Sequence, residues 1–166
     1  MTDNGTNGAG ASHLDFLRAR HAALTKDRTL DLEVPGYAHR LVIRYGRVPW
    51  SVVGRAQELF ANPGPDHEGT LLAQVDFLVA ACREVLVRDD DGTLKSIDPS
   101  GEPRRFDPTL AELLRFDTKT AREVVRELFR NDPAVAVQAG EVMSWSVNAE
   151  EDAAEEFMGE SGPVVK

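Results

Sequence analysis

The sequence predicts a mainly α fold with small β-hairpins, an α+β chain in which one compact helical domain lies between a flexible N-terminal tail and an acidic C-terminal tail. Three observations predict it. Apolar residues recur at helical spacing over most of the chain, most cleanly at Ala121, Val124, Val125, Leu128 and Phe129. Two short runs, near 29–46 and 85–97, instead suit strands folded about Pro35-Gly36 and Asp91-Gly92. Composition shifts at both ends, giving tails at 1–11 and 148–166 around a domain at 12–147. A chain of 166 residues with 42% apolar content is long enough to bury one real core.

The elements follow in order. Residues 1–11 are rich in Gly, Asn and Thr, the composition of a flexible tail. A helix is expected over 13–26, with Ser12 and Asp15 as a capping signal. Leu14, Leu17, His21 and Leu24 form its stripe, and Arg18, Arg20 and Lys26 suit its C-terminal dipole. Residues 29–34 and 39–45 are the arms of the first hairpin. Pro49 precedes a helix over 50–61, whose apolar face is Val52, Val53, Ala56, Leu59 and Phe60; Asn62-Pro63-Gly64-Pro65 ends it. The next helix, 66–83, is the most apolar. From Leu71 to its end at Cys82, only Gln74 and Asp76 are polar, which marks it as the central buried helix. The second hairpin turns at Asp91-Gly92. Asp107-Pro108 then opens a helix with a cap and a proline at its first position. The 118–130 helix follows, its outer face carrying Lys119, Arg122, Glu123, Arg126, Glu127 and Arg130. Asp132 caps a last helix reaching about 146, weakened by Gly140.

Charge narrows the function. With 19 basic and 28 acidic residues the net charge is −9, which argues against nucleic acid and against anionic lipid, because both need a basic face. The first residues lack the apolar core of a signal peptide, and no apolar run is long enough to span a bilayer. A single cysteine, Cys82, excludes a disulfide within the chain and suits a reducing compartment. A cytoplasmic protein is expected.

Catalytic and metal chemistry finds no constellation, so no catalytic, cofactor or metal residue is assigned and no enzyme activity is expected. His13, His21, His39 and His67 are scattered without metal-ligand spacing. Asp89-Asp90-Asp91-Gly92 resembles the start of a calcium loop. Its register, however, would put Val87 at the first ligand and Asp98 where a glutamate belongs, so a hairpin turn explains it better. Cys82 has no histidine near it in sequence and reads as a buried structural thiol. Phosphate-binding glycine loops and a nucleophile elbow are missing from the sequence.

Protein–protein binding is what is left. Trp50 and Trp145 suit core or core-edge anchoring ahead of binding. The acidic tail holds Glu150, Glu151, Asp152, Glu155, Glu156 and Glu160 around one apolar pair, Phe157-Met158. That pair is either part of a solubilising tail or a short element that orders on a partner. Trp145, Phe157 and Met158 are the partner-binding candidates.

The order of several segments goes further. They are LEVPGYAHRLVIRYGRVP at 32–49, VAACREVLVRDDDGTL at 79–94, FDPTLAELL at 106–114, AREVVRELF at 121–129, EVMSWS at 141–146 and EEFMGES at 155–161. In this order the chain resembles the tail assembly chaperones of long-tailed phages that infect actinobacteria. The resemblance covers nearly everything beyond the N-terminal tail and rests on soft patterns of loop and core residues. It implies a non-enzymatic protein of the host cytoplasm, absent from the mature virion, that binds the tape measure protein and keeps it soluble during tail morphogenesis. Contacts with the tail tube protein and self-association are further implied partners. An acidic structural or adaptor protein of a phage or phage-like particle is the alternative, and a small enzyme or regulator with an unrecognised site ranks third.

Overall fold

The computed structural model describes the backbone of residues 8–25, 28–62 and 64–160, and side chains within 13–22, 28–62 and 64–148. The chain divides into two units, Arg28–Val147 and a second composed of Met1–Asp27 with Asn148–Lys166. Six helices and one four-stranded sheet are described, in the order α1 (Gly8–Thr25), β1 (Thr29–Glu33), β2 (Leu41–Gly46), α2 (Trp50–Ala61), α3 (His67–Ala81), β3 (Cys82–Arg88), β4 (Leu94–Ser96), α4 (Pro108–Leu114), α5 (Ala121–Phe129) and α6 (Asp132–Glu160). The fold is α+β.

Within Arg28–Val147 the two hairpins are not separate. They join edge to edge through β2 and β3 into one antiparallel sheet of order β1-β2-β3-β4. Val42 faces Leu86 in that central pairing, and Leu41 faces Val87. Every residue of β2 but Arg44 is buried, because a central strand covered on both faces loses the polar alternation of a half-exposed one. The ladder slips between Arg44 and Tyr45, where Arg83 is the extra residue: Arg44 faces Glu84 but Tyr45 faces Cys82. The Arg83 side chain then crosses Gly46 and donates to the Arg47 carbonyl at 2.8 Å. A Cβ at Gly46 would lie 2.3 Å from the Arg83 Nε, so a larger residue there would displace the Arg83 side chain from this path.

The loop between β1 and β2 turns through Gly36, Ala38 and His39, all at positive φ. Tyr37 anchors it by donating its hydroxyl to the Leu128 carbonyl at 2.8 Å, and Arg88 holds the far side by donating to the His39 carbonyl at 2.9 Å.

Side chains cap α3, α4 and α5. Asp66 accepts the Gly69 N–H at 2.9 Å and caps α3. Asp107 accepts from Leu110 at 2.8 Å ahead of Pro108. Thr120 and Glu123 form a reciprocal capping box on α5. The buried stripe of α5 is Val124, Val125, Leu128 and Phe129, each contributing about 1.5–3 kcal/mol of apolar burial. These side chains meet Val75, Phe77 and Leu78 of α3 and Val135, Ala139, Val142 and Met143 of α6 in a single buried cluster.

Several expectations change. Helix α3 stops at Ala81 and passes without a loop into β3, so Cys82 begins a strand instead of ending a helix. The β-favouring Val85 and Val87 just ahead, paired with β2, outweigh the helical spacing behind. The cap of α6 is Asn131, which accepts the Ala134 N–H at 3.3 Å, one residue before the expected Asp132. Helix α6 does not end near 146 but runs to Glu160, through the segment expected as an acidic tail. Its Ala- and Glu-rich stretch at 149–156 has high helix propensity, and extension of an existing helix avoids the cost of nucleation. At the other end, α1 already includes 8–11, so Ser12 lies inside the helix and is not its cap. Residues 1–7, Lys26, Asp27, Pro63 and 161–166 lie outside the described residues.

Candidate functional site

Helices α2 and α3 pack side by side, with the Phe60 ring edge-on to Phe77 at 6.1 Å and an interplanar angle of 77°. Their outer faces leave a groove of about 520 Å³. Its α2 wall is Ser51, Val52, Arg55, Ala56 and Leu59, and its α3 wall is Gly69, Leu72, Ala73, Asp76 and Phe77. On each helix these positions recur at three- and four-residue steps, so each wall is one stripe of a helix.

The expected apolar face of α2 divides in two. Val53 and Ala56 are buried and Phe60 packs against the core. Val52 and Leu59 stay open, Leu59 at 40% exposure. A stripe containing 52, 53, 56, 59 and 60 spans more of the helix circumference than one packing contact covers. Its surplus edge becomes the groove. That breadth is the signal that could have found the site from sequence. Trp50, at the head of α2, is 65% exposed and is no core anchor. Its helix begins directly after Pro49, with no side-chain cap.

The groove is electrostatically uneven. Asp76 accepts both Nε and Nη2 of Arg122, at 2.6 and 2.7 Å. Arg126 donates to Glu68 at 2.8 Å. These pairs tie α3 to α5; being exposed and screened by solvent, they add little to stability. Arg55, opposite on α2, makes no ion pair or hydrogen bond among the described residues. Gly69 is fixed by the cap behind it, since a Cβ there would lie 2.3 Å from the Asp66 carboxylate.

Of the partner-binding candidates from the sequence, Trp145 does not line this groove. Trp145 is half-buried on α6, and the Phe157 and Met158 side chains lie outside the described residues. Asp89–Gly92 forms the expected turn: Asp89 and Thr93 bond across it at 2.9 Å, and Gly92 sits at φ 86°. Its acids are engaged singly, Asp89 with Lys95 and Asp90 with Arg40, and do not converge on a common centre. Cys82 is buried, and burial pushes its thiol up to about 12, so no thiolate forms near neutrality. Asp98 is buried too, and its carboxyl is held below the usual range by the Ser100 N–H and then by Arg104. That arrangement closes the 96–104 loop. Among the described residues, no cluster of three or more His, Cys, Asp or Glu could hold a metal ion, and no helix is long and apolar enough to cross a membrane.

No family model, curated protein or solved structure matches the chain.

Proposed function

We propose that this protein is a non-enzymatic tail assembly chaperone of a long-tailed phage, which binds the tape measure protein in the host cytoplasm and keeps it soluble. The observation that supports the reading is the groove between α2 and α3, an apolar helix-lined cleft that no described side chain fills. A long helical client that exposes apolar stripes needs such clefts to cover them. A strongly acidic coat adds repulsion between covered clients. Many weak copies along one client give avidity without a tight single site.

The test is co-expression with the tape measure protein of the same genome, with wild type compared against Leu59→Asp. Leu59 is exposed enough that its replacement leaves the core intact. The client should be soluble and co-purify only with wild type. A client equally soluble without the protein, with nothing co-purifying, would overturn the reading, and the chain would then be sought in purified particles as a structural adaptor.

A further inference from the structure

The groove's chemistry says more about its occupant than that it is apolar. Both walls carry small residues, Ser51 and Ala56 on one side and Gly69 and Ala73 on the other. Small side chains let a third helix approach closely and seat its ridge between the two. Two charges flank the floor. Asp76 is already held by both arms of the Arg122 guanidinium. Arg55 is the groove cation without an ion pair among the described residues. A lysine on an incoming helix would meet Arg55 unpaired and find Asp76 occupied. A carboxylate would meet a guanidinium that is unpaired among the described residues, beside an apolar floor, and a charge-assisted hydrogen bond is about twice as strong as a neutral one.

We propose that the groove is built for an amphipathic helix bearing a carboxylate beside its apolar stripe, and that Arg55 receives that carboxylate. This deepens the client-docking reading above and rests on it for the use of the groove. The chain's net charge of −9 opposes any acidic partner at a distance. At about 0.15 M salt, however, the Debye length is about 8 Å, so the contact with Arg55 decides the preference. Arg55 is a specificity residue, and the apolar walls supply most of the affinity.

The experiment uses the full chain and two fluorescein-labelled helical peptides of about 16 residues, roughly four turns. Both carry leucines at i, i+3, i+7 and i+11. One has Glu flanking the stripe and the other has Lys there. Fluorescence anisotropy gives the affinities. Wild type should bind the Glu peptide about three- to fivefold tighter than the Lys peptide. Arg55→Glu should invert that order, and Leu59→Asp should abolish binding of both. Equal binding of the two peptides, binding of neither, or an order unchanged in Arg55→Glu would overturn the proposal. The two readings fail separately. If Leu59→Asp releases the tape measure protein while the peptides show no charge preference, the groove holds the client and the role of Arg55 is wrong. If the peptides sort by charge and the client never co-purifies, the groove selects acidic helices and the chaperone reading is wrong.

Discussion

The only side-chain hydrogen bond described between the sheet and α6 joins two buried residues: Gln138 Nε2 donates to the Tyr45 hydroxyl oxygen at 3.0 Å. Tyr45 is fully enclosed, with burial holding its hydroxyl well above the ordinary value, and Gln138 is 4% exposed. Tyr45→Phe removes one oxygen and leaves the Gln138 amide buried without that acceptor. The cost is the stranded group's desolvation, about 1–3 kcal/mol. Gln138→Leu strands the tyrosine hydroxyl at a similar cost. In the double variant both polar groups are gone and the shapes are nearly kept, so its loss should be about 1 kcal/mol or less. The coupling between the two positions, the excess of the summed single losses over the double loss, is therefore about 1–5 kcal/mol. Urea unfolding followed by far-UV circular dichroism measures all four proteins. A chain of this size loses about 3 °C of Tm per kcal/mol, so thermal melts should rank them alike. If the double variant loses the sum of the two single losses, the pair is not coupled and the junction is held by packing alone.

Three further outcomes are expected. Gly140 sits inside α6, exposed, with open space where a Cβ would go; Gly140→Ala should stabilise by about 0.5–1 kcal/mol in urea titrations, and a loss would mean the helix is not continuous there. Cys82, with its thiol pushed up to about 12 by burial, should resist an aromatic disulfide reagent at pH 8 in the native protein and react at once in urea above the unfolding midpoint; rapid native labelling would show that the α3–β3 junction opens. Asp98, held below its ordinary range by the Ser100 N–H and Arg104, favours the fold only while ionised. Its contribution is present above the unfolded-state pKa and fades as pH falls through the folded one. Asp98→Asn should therefore be less stable than wild type at pH 7, with the gap closing in acid; a gap independent of pH would point to packing instead of charge.

The long helix α6 shows most clearly where the sequence and the structure part. Local chemistry wrote the Asp-Pro start of α4 and the Asp-Gly turn, because each is satisfied by neighbours within a few residues. The 121–129 stripe was equally legible, since four apolar side chains on one face of a charged helix have one way to be buried. Against that, the Ala-Glu stretch beyond Val147 could be read as solvated tail or as helix, and its acidity was the weaker guide. The pairing of β2 with β3 joins segments some forty positions apart across two helices, so neither strand carries a local mark of the other. The groove belongs to the same class. Val52 and Leu59 look like core residues until the packing of α2 on α3 determines which edge of the stripe is covered. Sequence alone thus determined charge, the Asp107 cap, the Asp-Gly turn and the buried face of α5, which are set by short-range interactions. Tertiary structure alone decided which apolar side chains remain open to a partner, because exposure depends on what the rest of the chain places beside them.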